Sequence, residues 1–337
     1  MHRVVLASAA IVAACLFALP VDGESDDAHR AVDAYVAMQR YLFDVRSGEY
    51  RETVGAKPGA HAWPVSQALA ATIALAHVPG ASPRVAVAAA VRLDRVERFR
   101  SGPVYAAAPG GDVYWDDNEW LAQDFLADGD AASVQRAQAI FAAVVHAWDT
   151  DPSKPCAGGV QWTEQAGNDD RNTVSTVNGA LLGLELYEHT HSAAVLYWSR
   201  KMLDWVDACM IAGDGLTWDH IDGTGSVDET HWSYNEGSLI GALVLLGDLA
   251  RAEQLADRAL AYYDWNAEPP EFASIFFVNV LQLAAADGRS DYVDAAQRYA
   301  DDAWTNRRDP RTGLYGTRLL DQAAFVRLDA ALATAGR

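Results

Sequence analysis

Apolar residues along the chain recur with the spacing of amphipathic helices. Ala-rich and Leu-rich stretches repeat apolar residues at i, i+3, i+4 and i+7, and no long alternation of β-branched residues interrupts them. Breaks such as Pro79-Gly80 and Pro269-Pro270 separate the stretches. The pattern predicts twelve helices, near residues 26–43, 63–77, 83–99, 116–127, 131–149, 173–190, 192–212, 232–246, 249–264, 270–286, 290–305 and 318–334.

The even-numbered predicted helices differ from the odd-numbered ones. Odd helices carry charges along one face, as with Arg92, Arg95 and Arg98, which is typical of an outer layer. Even helices begin with aromatic and polar clusters and continue with small apolar residues, as expected of helices flanked by protein on all sides. Six outer and six inner helices in alternation predict an all-α (α/α)6 toroid, with the inner-helix starts at one rim. No linker-like segment interrupts the series, so residues 24–337 are predicted to form a single domain.

The N-terminus predicts export. A short basic start precedes an apolar run that reaches Pro20, and the small residues Val21 and Gly23 suit a signal-peptidase site, so residues 1–23 are interpreted as a signal peptide. A lipobox-like sequence ends at Cys15, and a lipid anchor there is the alternative. We therefore expect a secreted or cell-surface protein with no membrane span.

Charge and cysteine content exclude several classes of partner. The formal net charge is −20, and no stripe of Lys and Arg supplies the basic face that a nucleic-acid-binding protein needs. Only Cys156 and Cys209 follow the predicted signal peptide. The sequence is compatible both with a disulfide between them and with two free thiols. No Cys or His spacing is typical of a zinc site, so neither a metal nor a cofactor is predicted.

The segment from Tyr114 to Trp120, which reads Tyr-Trp-Asp-Asp-Asn-Glu-Trp, is the strongest candidate for catalysis. An Asp at a helix start has an ordinary explanation, because it caps the helix and suits the helix dipole. That explanation accounts for one Asp, but not for Asp116 and Asp117 side by side between Trp115 and Trp120. Neighbouring carboxylates repel, so one should keep its proton near neutral pH and act as an acid beside a nucleophile or base.

The tryptophans indicate a carbohydrate substrate. Several of the 11 Trp fall at predicted inner-helix starts, where flat indole faces suit the C–H faces of sugars and neighbouring amides suit the hydroxyls. Any single Trp could instead pack between the helix layers, Asn118 could brace its helix start, and Tyr234 could fill the inner ring. The candidate substrate-binding residues are Trp63, Gln67, Trp115, Asn118, Trp162, Asn178, Tyr234 and Asn235.

Motifs spread along the chain point to one family. They are Ala62-Trp63-Pro64, Tyr114-Trp115-Asp116-Asp117-Asn118 with Trp120, Gly158-Gly159-Val160-Gln161-Trp162, Trp218-Asp219, and Tyr234-Asn235 with Gly237. In this order they resemble glycoside hydrolase family 76, whose members are endo-acting α-1,6-mannanases and related transglycosylases with an (α/α)6 fold. The resemblance implies that Asp116 is the nucleophile, that Asp117 is the acid/base, and that the partner is an α-mannan polysaccharide or mannooligosaccharide.

Adjacent carboxyls also favour one stereochemical course. Their oxygens can lie about 5 Å apart, which fits a retaining double displacement and leaves too little room for the water of an inverting enzyme. We therefore expect a monomeric, exported, retaining endo-α-1,6-mannanase; a cell-wall mannan transglycosylase and a non-catalytic mannan-binding protein are the alternatives. A magnesium-dependent prenyl-chain or terpene enzyme fits poorly, because the third acid, Glu119, comes one residue too early for an Asp-Asp-x-x-Asp motif.

Overall fold

The computed structural model describes residues 26–335, and the predicted signal peptide and the lipid-anchor position Cys15 lie outside them. The described residues contain twelve α-helices, which confirms the predicted helical architecture. These are α1 (Asp26–Leu42), α2 (Ala62–His77), α3 (Pro83–Arg95), α4 (Trp115–Asp128), α5 (Ala131–His146), α6 (Thr173–Thr190), α7 (Ala193–Cys209), α8 (Ser233–Leu246), α9 (Leu249–Tyr262), α10 (Pro270–Asp287), α11 (Ser290–Asn306) and α12 (Leu319–Ala335). In this part of the chain no helix combines the length and apolar character that crossing a bilayer requires.

The even-numbered helices form a closed inner ring. Each packs against the next in the order α2, α4, α6, α8, α10 and α12, and α12 returns to α2. Each odd-numbered helix from α3 to α11 packs outside, against the even-numbered helix that precedes it, and α1 packs against α12. This arrangement is the predicted (α/α)6 toroid.

Burial along the helices explains why they sort into two layers. In the inner helix α6, every residue from Thr173 to Leu184 is buried, because neighbours cover the helix on all sides. The outer helix α11 buries a single stripe at helical spacing, and its other faces carry the polar residues. The members of this stripe are Tyr292, Ala296, Tyr299, Ala300 and Ala303.

Within the described part of the chain, seven very short strands join the helices, and no alternating pattern in the sequence predicts them. They are β1 (Phe43–Asp44), β2 (Glu49–Tyr50), β3 (Arg100–Ser101), β4 (Val104–Tyr105), β5 (Arg171–Asn172), β6 (His220–Ile221) and β7 (Val227–Asp228). All pair antiparallel, as two hairpins, β1–β2 and β3–β4, and one sheet in the order β5-β6-β7. Two residues are too few to show a period of two, so strands of this length leave no sequence signal.

Helix ends differ from the predicted ends where the chain turns toward the rim. The helix predicted near 83–99 ends at Arg95 and continues as one 3₁₀ turn, Val96–Phe99. The helix predicted near 131–149 ends at His146, because Trp148 instead forms a bridge with Val160. Glycines with positive φ end three inner helices, at Gly129 (75°), Gly247 (76°) and Gly288 (79°).

Candidate active site

A cavity of about 750 Å³ opens at the rim where the inner helices begin. Every inner helix contributes to its lining a residue from the first six positions, and these residues are Trp63, Trp120, Val174, Tyr234, Ile275 and Leu320. Three of them, Trp120, Val174 and Ile275, form a buried apolar cluster against which Trp63 and Tyr234 pack. The convergence of the helix starts therefore produces a largely aromatic cavity of the size that binds organic ligands.

The first turn of α4 presents two carboxylates to this cavity. Asp116 and Asp117 are the second and third residues of α4, and both line the cavity. The first backbone N–H of the helix donates to the carbonyl of Trp162 at 2.9 Å. The side-chain amide of Asn118 accepts from the backbone N–H of Tyr105 at 2.7 Å and donates to its carbonyl at 2.8 Å. Both carboxylates are therefore held on a fixed helix turn rather than on a loop.

Burial raises the pKa of Asp116 to about 6. Hydrogen bonds to its carboxylate from the backbone N–H groups of Asp117 and of Asp116 itself, and from the side chain of Trp162, lower the pKa and offset part of this effect. The negative charge of Asp219 raises it again. Because these hydrogen bonds favour the charged form of Asp116, and Asp117 has only influences that raise its pKa, Asp116 is the member of the pair that ionises first.

Burial and the neighbouring charge of Asp116 raise the pKa of Asp117 well above its usual range. Two adjacent carboxyls in a partly enclosed site do not ionise together readily, so the two protons leave in separate steps. Asp117 therefore keeps its proton to higher pH than Asp116 does. The pair can thus supply a proton donor next to an anionic nucleophile.

A loop between α5 and α6 brings Trp162 over the pair. Cys156 forms a disulfide with Cys209, with a Cα–Cα distance of 6.0 Å, which settles the pairing that the sequence left open. Two glycines follow, and a Cβ on Gly159 (φ +86°) would lie 2.6 Å from the ring of Trp205. Only glycine therefore lets the backbone pass this close to the indole. The chain then reaches Trp162, which lines the cavity and is 39% exposed.

Half of the predicted site residues line the cavity, namely Asp116, Asp117, Trp63, Trp162 and Tyr234. The ring of Phe272 packs edge-on against Tyr234 at a centroid distance of 4.2 Å and lies 6.1 Å from Trp63. The indole N–H of Trp63 is buried and has no hydrogen-bond partner among the described residues. A buried donor at the cavity wall without a partner is available to an acceptor on a ligand.

Three predicted ligands have other roles. Gln67, in the second turn of α2, accepts a hydrogen bond from Arg327 at 3.3 Å. The side chain of Trp115 packs in the main apolar core at 4% exposure. The amide of Asn118 is occupied by the backbone of Tyr105, as described above. None of the three lines the cavity. They lie behind the cavity wall and contact other parts of the protein.

Asn178 and Asn235 are also buried in the inner ring away from the cavity lining. The Oδ1 atom of Asn178 accepts from Gln123 at 3.0 Å, and its side chain lies beside Glu119. Both polar atoms of the Asn235 side chain lack partners among the described residues. Helical periodicity identifies a residue as internal but does not say whether it faces the cavity or a neighbouring helix, which is why both asparagines were predicted as ligands.

Besides Tyr114, six polar residues of the lining were not among the predicted ligands: Glu52, His61, Asp170, Asn172, Asp219 and His220. They lie in the connections between helices, where Asn172 of β5 pairs directly with His220 of β6. The Oδ1 atom of Asn172 is buried without a partner in the described structure. Asn172 directly precedes α6, so including the residue before the helix predicted near 173–190 would have identified it.

A small acidic group surrounds His220 on the cavity wall. Donor atoms of Asp219, His220 and Asp228 lie within 4.8 Å of one another, and Nδ1 of His220 is 2.9 Å from the carboxylate of Asp219. Burial lowers the pKa of His220, but the bond to Asp219 and the nearby carboxylates raise it overall. Asp228 is exposed and lies outside the cavity lining, and exposed acidic groups are common without a metal, so we assign Asp219 and His220 to the cavity wall.

Comparison with known proteins extends these observations. A mannan endo-1,6-alpha-mannosidase of Candida glabrata is 28% identical over 163 residues, which are 45% of this chain and 34% of that relative. The match therefore spans about a third of the length of this relative. Another mannan endo-1,6-alpha-mannosidase, from Saccharomyces cerevisiae, is 30% identical over 165 residues, which are 44% of this chain and 33% of that relative.

A solved structure and a family profile cover more of the chain. A family 76 glycoside hydrolase from a bovine Bacteroides thetaiotaomicron strain superimposes with a TM-score of 0.84 at 20% identity, over 93% of this chain and 78% of that one. At this identity the likeness shows the shared toroid fold. Residues 28–265 match the profile of Glycosyl hydrolase family 76. The chain therefore belongs to glycosyl hydrolase family 76.

Proposed function

We propose that this protein is an exported, retaining endo-α-1,6-mannanase. The observation that carries the proposal is the pair Asp116 and Asp117, adjacent carboxyls of unequal pKa on the wall of an aromatic cavity. Family membership supports glycoside hydrolysis, and the names of the mannan endo-1,6-alpha-mannosidases that the chain resembles support the linkage.

In the first step, the carboxylate of Asp116 attacks the anomeric carbon of a mannosyl unit. Asp117 donates its proton to the glycosidic oxygen as the C–O bond breaks, so the 6-oxygen leaves as a hydroxyl. The result is a mannosyl ester on Asp116 and a carboxylate on Asp117. Both residues lie in the first turn of α4, which places the nucleophile and the acid side by side.

In the second step, Asp117 accepts a proton from water, and the water oxygen attacks the anomeric carbon and breaks the ester to Asp116. Two successive inversions retain the anomeric configuration. The negative charge of Asp116 contributes to the high pKa of Asp117, and the ester has no such charge. Ester formation therefore lowers the pKa of Asp117 and prepares it to act as a base in this step.

The cavity wall supplies contacts for the sugar. The rings of Trp63, Trp162 and Tyr234 offer flat apolar faces to the C–H faces of mannosyl units. The unpaired indole N–H of Trp63 and the unpaired Oδ1 of Asn172 offer one donor and one acceptor to hydroxyls. These contacts are uncharged, like the hexose that they would bind.

Export is supported by the cysteines. The disulfide between Cys156 and Cys209 closes a segment that positions Trp162, and disulfides persist mainly in oxidising compartments outside the cytosol. This agrees with the predicted signal peptide over residues 1–23.

Product analysis tests the proposed activity. Incubation with linear α-1,6-mannan should give a ladder of short mannooligosaccharides before free mannose, resolved by anion-exchange chromatography, while α-1,2- and α-1,3-linked oligosaccharides stay intact. Release of mannose alone at all times would contradict endo action. Products longer than a short donor would favour the transglycosylase, and binding to mannan without products would favour the non-catalytic alternative.

The unequal pKa values predict a bell-shaped pH dependence of kcat/KM on α-1,6-mannan. The rate should rise with pH as Asp116 ionises, with a midpoint at about 6, and fall at higher pH as Asp117 loses its proton.

Asp219→Asn removes a charge that raises the pKa of Asp116, so the rising limb should move to lower pH. Initial rates across the pH range measure both limbs. The exposed Asp112→Asn variant is the control, and a rising limb that stays fixed in Asp219→Asn would contradict the assignment.

A further inference from the structure

We infer that the cavity selects uncharged stretches of mannan and rejects mannosyl units that carry an anionic substituent such as a phosphate monoester. The inference rests on the proposed function, and it concerns which substrate the same site accepts. Its basis is the distribution of charge around the cavity.

The cavity lining holds more acidic than basic residues. The acidic lining residues are Glu52, Asp116, Asp117, Asp170 and Asp219, and the described lining contains no Lys or Arg. Like charges brought together in a site shielded from water repel strongly, so an anion entering here meets an unfavourable field from the wall.

The guanidinium groups next to the cavity are engaged elsewhere. Arg171 lies between two lining residues in sequence, but it is fully buried and donates to the backbone carbonyls of Pro155 and Asp222. Arg318 lies beside the rim, where it is held by the carboxylates of Glu271 and Asp321. Arg171 is thus enclosed by protein, and the charge of Arg318 is offset by two carboxylates.

The two histidines of the lining do not supply a free positive charge either. Nδ1 of His61 lies 2.6 Å from the carboxylate of Glu52, and Nδ1 of His220 lies 2.9 Å from that of Asp219. Even when protonated, each histidine only neutralises the carboxylate with which it is paired. Asp170, whose charge also acts on His220, has no such close ion pair within residues 26–335.

The carboxylates lie on both sides of the catalytic pair. The backbone carbonyl of Glu52 accepts a hydrogen bond from Leu319 at the start of α12, and that of Asp219 accepts one from Thr173 at the start of α6. Helices α6 and α12 lie opposite each other in the ring, with α2 and α4 between them on one side. A negative substituent on either side of the cleaved bond therefore approaches a carboxylate.

Three linear α-1,6-mannotetraoses test the inference: the unmodified sugar, one with a phosphate monoester on a non-reacting hydroxyl, and one with the neutral dimethyl phosphate at that hydroxyl. The neutral ester controls for size. We expect kcat/KM for the monoester to be at least about tenfold below that for the dimethyl ester. The ratio should shrink at high salt, and in Asp170→Asn and Glu52→Gln, while Asp112→Asn, which lies outside the lining, leaves it unchanged.

Equal kcat/KM values for the two esters would overturn the inference. So would a lower kcat/KM for the monoester that is not relieved by high salt, by Asp170→Asn or by Glu52→Gln. If the unmodified sugar is not cleaved, the proposed function fails instead. The inference is then tested by calorimetric titration of the three sugars into the Asp116→Asn protein, where weaker binding of the monoester than of the dimethyl ester supports it and equal binding overturns it.

Discussion

Replacing Asp116 by asparagine should lower kcat/KM on linear α-1,6-mannan by at least about 10⁴-fold, because an amide cannot form the covalent ester. The side chain keeps its size, and the carboxylate it replaces is partly exposed to the cavity, so the fold should be retained. Reducing-end assays with purified protein measure the loss. An activated aryl mannoside should not restore the rate, since the missing group is the nucleophile and not the acid.

Asp112→Asn is the matched control for this substitution. Asp112 is exposed and lies four residues before Asp116, outside the cavity lining, so its replacement should leave the rate near that of the parent. Thermal unfolding of all three proteins separates loss of chemistry from loss of folding. An Asp116→Asn protein that unfolds like the parent and keeps more than a hundredth of its activity would rule out the proposed nucleophile.

Replacing Asp117 by asparagine should lower kcat/KM on mannan by about 10²- to 10⁴-fold, because the poor leaving group then departs without a proton. The dinitrophenolate of a dinitrophenyl mannoside departs without protonation, so the first step should be almost unaffected with that substrate. The second step should remain slow, since no base activates water. A burst of dinitrophenol followed by slow turnover, measured by stopped-flow absorbance, is therefore expected.

Azide provides a control for this assignment. It attacks the glycosyl-enzyme without a base, so it should accelerate turnover of Asp117→Asn and give α-mannosyl azide, while the Asp116→Asn protein should give no such product with retained configuration. If Asp117→Asn loses the same factor on mannan and on the activated substrate, Asp117 is not the acid.

The toroid could be predicted because its signal repeats along the chain. Inner and outer helices differ in how many faces they bury, as α6 and α11 show. The positions of apolar residues along each helix reflect this difference. The ends of the helices depend on contacts between distant segments, and these are not local in sequence. Thus α5 stops at His146 because Trp148 pairs with Val160.

The site was predicted less completely than the fold. Asp116 and Asp117 stood out because two adjacent carboxyls between indoles have no ordinary local explanation. Asparagine often binds sugar hydroxyls, but the side-chain amide of Asn118 instead forms hydrogen bonds with the backbone N–H and carbonyl of Tyr105. The sequence does not show that these two residues are in contact. Trp115 likewise packs inward, although Trp162 faces the cavity.

The overlooked residues lie on connections that only the fold brings together. Asp219 and Asp170 are distant in sequence, and the antiparallel pairing of β5 with β6 places their segments side by side at the rim. In the sequence Asp170 looks like an ordinary acidic loop residue, and Asp219 belongs to the Trp218-Asp219 motif without an assigned role. Their charges nevertheless act on the site, since Asp219 raises the pKa of Asp116.

The anomeric form of the first product tests the central claim most directly. Linear α-1,6-mannotetraose is mixed with the enzyme, and proton NMR follows the reducing ends released before mutarotation. The Asp116–Asp117 mechanism predicts that the α anomer appears first and equilibrates to the mixture afterwards. A first product in the β form would show a single displacement and would contradict the proposed mechanism.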